Sequence, residues 1–172
     1  MKKVAIIGAG ISGLFIANMF KRNPNYQIII YEKNTSISLE GGYGIQLSVN
    51  SIKLLNEIGF KKLHNNEKFT PKNIDFYSSG NLNKICELNI ENFNTQDCRY
   101  TTLKRSTLIN FLKRDLEDLI KTGYKISKID EQDKQIELSF ENDEKKKFDY
   151  LIISDGVFSK SKSLISNNKV KP

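Results

Sequence analysis

The stretch VAIIGAGISGLFIANMF, from Val4 to Phe20, constrains this chain more than any other. Val4–Ile7 is apolar at every position, which is how a central strand of a parallel sheet reads, because both of its faces are covered. Three glycines follow at the spacing G-x-G-x-x-G: Gly8, Gly10 and Gly13. A helix is then expected over Ser12–Arg22. Leu14, Phe15, Ala17 and Met19 make it apolar on most sides, so it should be buried. Lys21 and Arg22 suit the negative end of its dipole, and Asn23-Pro24 stops it. Gln27–Glu32, QIIIYE, is a second strand, which completes one βαβ unit.

Each glycine has a chemical reason to be there. Gly8 permits a tight turn out of the strand, Gly10 lets a phosphate approach the backbone, and Gly13 lets helix and strand pack closely. The N–H groups at the helix start, where Ser12 stands, and the positive end of the dipole then favour a pyrophosphate. Glu32 lies nineteen residues after Gly13 and ends its strand. A carboxylate there accepts hydrogen bonds from the ribose of an adenosine and repels a 2′-phosphate, so FAD or NAD fits better than NADP. Without a ligand, the glycines would serve packing alone and Glu32 would face solvent. Strand, loop, helix, strand and acid in register favour the dinucleotide.

Further along, SVNSIKLLNEIGF predicts a helix over Ser48–Ile58, with Ile52, Leu55 and Ile58 on one face and Gly59 ending it. Short strands are expected at Ile74–Tyr77 and Cys86–Leu88 around a Gly80-Asn81 turn. A third helix is expected over Arg105–Lys121, with Leu108, Leu112, Leu116 and Leu119 on one face and Gly123 at its end. Tyr124–Ile129 and Gln135–Glu141 alternate like strands, and Asn142–Lys146 reads as a turn that takes in most of the lysine run 145–147. Asp149–Ser154 is another buried strand of the parallel type, followed at once by Asp155-Gly156, whose plain reading is a turn or a cap. The final SNNKVKP carries no signal of its own. With no internal repeat and no linker, residues 1–172 read as one α/β domain: a mostly parallel sheet with a small antiparallel insertion.

Composition narrows the function classes. The net charge is +7, but the lysines are scattered and no basic stripe interleaves with aromatics, so a solvated surface explains the charge and no nucleic-acid partner is expected. Cys86 and Cys98 give neither a disulfide framework nor a C-x-x-C pair, and the single His64 builds no metal site. The opening MKKVAIIGAG mimics a signal peptide, yet its glycines interrupt the apolar stretch. No apolar run reaches the roughly 18–20 residues of a membrane span, and a cytoplasmic setting is expected. Neither G-x-S-x-G nor a histidine-based triad occurs, so no catalytic side chain is assigned.

Four segments together resemble the FAD-dependent monooxygenases of the aromatic-ring hydroxylase type. They are GAGISG with Glu32, GYGIQLSVNSIKLLNEIGF, LKRSTLINFL, and YLIISDGVFSKSK. The resemblance implies a Rossmann-like FAD/NAD(P)-binding fold, bound FAD, NAD(P)H as reductant, O₂, and a small, typically aromatic, substrate. It implies that Arg105, at the start of the LKRSTLINFL helix, contacts the flavin cofactor; a cation at a helix start opposes the dipole unless it faces an anion. It places Asp155 and Gly156 near the pyrophosphate and ribitol, and the backbone of Ile126 near adenine. Lys33 stands where the family often has arginine, and SDG stands where it often has ADG. Members of the family are usually much longer, with a substrate-binding sheet and a second G-D motif after this segment. The expectation is therefore an N-terminal half, inactive alone. Two alternatives stay open: a non-catalytic nucleotide-binding module completed by a partner chain, marked by an exposed apolar patch, and an NAD-dependent Rossmann oxidoreductase.

Overall fold

A computed structural model describes residues 1–37, 39, 43–132 and 134–165. In chain order the elements are β1 (Lys2–Ile7), α1 (Ile11–Lys21), β2 (Tyr26–Glu32), β3 (Gly44–Leu47), α2 (Val49–Glu57), β4 (Lys68–Phe69), β5 (Asn73–Tyr77) and β6 (Lys84–Asn89). Then follow β7 (Thr101–Lys104), α3 (Arg105–Lys113), β8 (Ile120–Thr122), β9 (Ile126–Gln132), β10 (Gln135–Phe140), β11 (Lys145–Phe148), β12 (Tyr150–Ile153) and α4 (Lys162–Ile165). They divide into two compact units, residues 1–39 with 112–172, and residues 40–111. No helix among the described residues is long and apolar enough to cross a membrane.

The first unit is built on a parallel sheet in the order β8-β2-β1-β12. β1 is central, and Val4–Ile7 are buried along its length, as an apolar run on both faces requires. Successive side chains alternate between faces. Ala5 and Ile7 join Tyr31, Leu138, Phe140 and Phe148 in one core cluster. The antiparallel meander β9–β10–β11 thus roofs this face of the sheet. α1 packs against β1 and β2. Its buried residues are Gly13, Leu14 and Ala17, while Met19 is exposed. The expectation of a helix buried on most sides is corrected: one stripe faces the sheet and the outer side meets solvent.

Two further expectations change. The helix over 105–121 ends at Lys113, and Ile120–Thr122 instead forms β8, parallel to Ile30–Glu32 of β2. Tertiary pairing overrides the helical spacing here: Leu116 is fully buried without continuing the helix, and the edge of β2 takes the β-branched pair Ile120 and Thr122. Gly123, at φ +76°, turns the chain after β8 rather than ending a helix. The lysine run lies in strand β11, not in a turn. Lys145 and Lys147 each stand 3.9 Å from Glu137 on the paired strand β10, so cross-strand attraction offsets their mutual repulsion. The turn is shorter, with Asp143 at φ +63°.

The second unit contains the antiparallel sheet β3-β7-β4, the hairpin β5–β6 and α2. Ile52 and Leu55 are buried on α2, and Gly59, at φ +89°, turns the chain after it. Phe60 is buried and meets Phe111 edge to face, 5.4 Å between ring centres. On the hairpin, Phe76, Tyr77, Ile85 and Leu88 are exposed. Gly42 of GYGIQ and the final SNNKVKP lie outside the described residues.

Phe140 lies 4.7 Å from Tyr31 and 5.2 Å from Tyr124 between ring centres. Phe140→Ala should cost about 3–5 kcal/mol in urea unfolding, a large share of a typical total of about 5–15 kcal/mol. At the sheet's opposite end, Asp149 accepts the Lys3 N–H at 2.7 Å and pairs with Lys2 at 3.0 Å. The Lys3 amide, and then Lys2, hold its carboxyl below the ordinary carboxylate range. The stabilisation is therefore present above the unfolded value of about 4 and fades as pH falls through the lower folded value. Asp149→Asn should lower the unfolding midpoint at pH 7, with the deficit shrinking in strong acid; a deficit independent of pH would refute the linkage.

Candidate dinucleotide site

The glycine loop leaves β1 at the carboxyl edge of the sheet, where open α/β sheets bind ligands. Gly8 has φ +98°, and a Cβ on it would lie 2.6 Å from the Ser154 carbonyl oxygen. A Cβ on Gly13 would lie 2.0 Å from the Gly8 carbonyl oxygen and 2.7 Å from Ser154 Oγ. These two glycines let α1 and the end of β12 close on the end of β1. Gly10 is different. It caps α1 with an ordinary φ of −82°, and a Cβ on it would meet nothing within 4 Å among the described residues. Among the described residues no side chain caps α1 and its first turn carries no acidic residue, so the amides at its start, near exposed Ser12, are met by no capping side chain.

Glu32 is held in place beside that loop. Its Oε2 accepts the Ala9 N–H at 3.0 Å, and its Oε1 accepts the Asn34 N–H at 3.0 Å and the Asn34 side-chain amide at 2.9 Å. A cleft of about 130 Å³ adjoins it and brings together Gly8, Glu32, Lys33, Ile126 and Asp155, five of the residues the sequence singles out. Gly10, Ser12 and Gly13 belong to the loop itself, and exposed Gly156, at φ +88°, follows Asp155. Arg105 belongs to the second unit, where it heads α3 and its backbone N–H donates to the Tyr43 carbonyl at 3.2 Å.

The sequence reading missed Tyr31, Tyr124, Lys125, Lys160 and Ser161, which also line the cleft. The aromatic residues were legible only as strand residues, since their meeting depends on the meander. Tyr31 is almost fully buried and its hydroxyl has no partner among the described residues; burial pushes the phenol up, with Lys146 opposing. Tyr124 lies 5.2 Å from Tyr31 between ring centres and donates its hydroxyl to Glu144 at 2.9 Å, which raises its own pKa. Lys146, 2.8 Å from Glu144, is the larger cause of that carboxyl's lowered pKa, and it sits 5.4 Å from the Tyr124 ring centre.

Asp155 accepts from Ser161 Oγ at 2.9 Å and Ser161 N–H at 3.3 Å through Oδ2. Its Oδ1 is buried with no partner among the described residues. A buried orphan acceptor costs stability unless a ligand or water donates to it. Ser154, the departure from ADG, also has a purpose. Its hydroxyl donates to the Ile7 carbonyl at 2.8 Å and lies 3.3 Å from that of Gly8, tying the ends of β12 and β1.

Neither a family model nor a curated protein sequence matches this chain. Solved structures do. The 2,6-dihydroxypyridine-3-hydroxylase of Arthrobacter nicotinovorans aligns over 97% of this chain and 40% of its own, at 14% identity and a TM-score of 0.79. Klebsiella pneumoniae HpxO, complexed with FAD and uric acid, aligns over 90% of this chain and 39% of its own, at 19% identity and a TM-score of 0.77. The tetracycline destructase Tet(55) aligns over 98% of this chain and 42% of its own, at 20% identity and a TM-score of 0.76. The fold is that of the FAD-dependent monooxygenases. The chain spans about two-fifths of the length of these structures.

The different surroundings of the glycines separate packing from binding. Gly13→Ala should lower stability by about 1–3 kcal/mol or more, because backbone atoms must move. Gly10→Ala should cost less than about 1 kcal/mol, as a capping change alone. Thermal unfolding of the two variants checks this, and equal losses would contradict it.

Proposed function

We propose that this chain is the FAD-binding portion of a flavin-dependent monooxygenase. It would use NAD(P)H and O₂ to hydroxylate a small, typically aromatic, substrate, in a cytoplasmic setting. The observation that carries the reading is the open space above Gly10 at an uncapped helix start, beside a carboxylate already held in orientation. A pyrophosphate fits the first; an adenosine ribose fits the second. The orphan Oδ1 of Asp155 offers an acceptor in the same cleft.

In this reading the amides of the Gly10–Gly13 turn, with Ser12, hold the pyrophosphate. Glu32 receives ribose, and Lys33 adds positive charge beside it. Ile126 lines the adenine end with its backbone, while Asp155 and Gly156 border the pyrophosphate and ribitol, and Arg105 serves the flavin cofactor. Residues 1–172 would act as one FAD-binding part of a longer catalytic unit. When bound, the flavin supplies the redox chemistry. The residues named here bind and orient it, and none is assigned a covalent step.

A second reading keeps the cleft without turnover: a nucleotide-binding module completed by another polypeptide. The exposed Phe76, Tyr77, Ile85 and Leu88 of the β5–β6 hairpin favour completion of that hairpin by further chain. An NAD-dependent oxidoreductase remains the reading to exclude by experiment.

Titration of the purified chain with FAD, followed by quenching of flavin fluorescence, tests the proposal. Binding is expected, weakened about tenfold or more by Glu32→Ala and by Gly10→Ala. Absence of FAD and ADP binding, with no effect of Glu32→Ala, would refute it. Preference for NAD over FAD would instead support the oxidoreductase.

A further inference from the structure

The orientation of Glu32 says more about its ligand than its presence does. A carboxylate offers about four acceptor positions, two on each oxygen. Oε1 already takes two donors, the backbone N–H of Asn34 and its side-chain amide, at 3.0 and 2.9 Å. Oε2 takes one, the Ala9 N–H at 3.0 Å. One position is left, on Oε2. The segment cannot easily swing away to free others. The carbonyl of Glu32 accepts the Tyr124 N–H at 2.9 Å, and that of Asn34 accepts the Gly123 N–H at 2.8 Å. The chain on both sides of the carboxylate is therefore pinned to the segment that leads into β9.

Asn34 is exposed and contributes no burial to the core. Its side-chain amide is spent on filling the second position of Oε1. We infer that Asn34 is a specificity-determining residue of this cleft: it restricts Glu32 to a single hydroxyl of the adenosine ribose, where an unencumbered carboxylate would accept from both. The inference rests on the dinucleotide reading above and refines it.

The test compares ADP, 2′-deoxy-ADP and 3′-deoxy-ADP, by calorimetry, on the wild-type chain and on Asn34→Ala. On the wild type, one deoxy analogue should bind about tenfold more weakly than ADP and the other within about twofold, since a hydrogen bond to a charged group is lost in one case only. In Asn34→Ala the freed position on Oε1 should bring the second hydroxyl into play, so that both analogues bind more weakly than ADP. Equal losses for the two analogues on the wild type, or no loss for either, overturn the inference. So does a common factor of weakening for all three ligands in Asn34→Ala, which would mark a role in loop structure alone. Failure of ADP to bind the wild type overturns the dinucleotide reading itself, and this inference with it. The deoxy pattern overturns only the role of Asn34.

Discussion

The closeness of three backbone segments governs this structure. The start of α1, the end of β1 and the end of β12 meet so tightly that a single methyl group on Gly13 would overlap the Gly8 carbonyl. Ser154 completes the junction by donating its hydroxyl to the Ile7 carbonyl. Such packing density leaves no freedom for the loop between β1 and α1. The loop is consequently held in one conformation, and the orientation of Glu32 follows through its bond to the Ala9 N–H. The shape of the candidate site follows from how closely the core closes.

Much of this was legible in the residues. Val4–Ile7 is apolar enough to be a central strand, and the interval from Gly13 to Glu32 places the acid at the end of the adjacent one. Asp149–Ser154, which reads as equally buried, instead forms the edge strand β12, only half-buried, because no further strand pairs with its outer side among the described residues. What the sequence hid depends on partners distant in the chain. Ile120–Thr122 continues the leucine spacing of a helix, and only the open edge of β2 makes it a strand. Tyr31 and Tyr124 show no pattern that announces their meeting, because it is created by the fold of the meander. The Lys145–Lys147 run reads as part of a turn because it adjoins the polar stretch Asn142–Glu144; Glu137, on the neighbouring strand, is what makes the strand tolerable.

The two kinds of glycine also separate what a motif can and cannot say. Gly8 and Gly13 would be required by packing alone. Gly10 is not required by packing, and an ordinary residue could adopt its backbone angles. The discriminating glycine is thus the one whose place in the fold demands nothing, which is why a fold-level likeness and an open surface must be read together before a ligand is named.

The clip between Ser154 and Ile7 joins residues that are 147 apart in sequence. During synthesis β1, α1 and β2 emerge early, while the strand that must lie against the other edge of β1 follows only at Tyr150–Ile153. Until then a fully apolar central strand has one side unpaired, an adhesive edge for any other extended chain. Closing so long a loop is also slow. A nascent chain that has emerged only as far as β2 therefore carries an open edge until Tyr150–Ile153 arrives, a stage at which chaperone protection guards against mispairing.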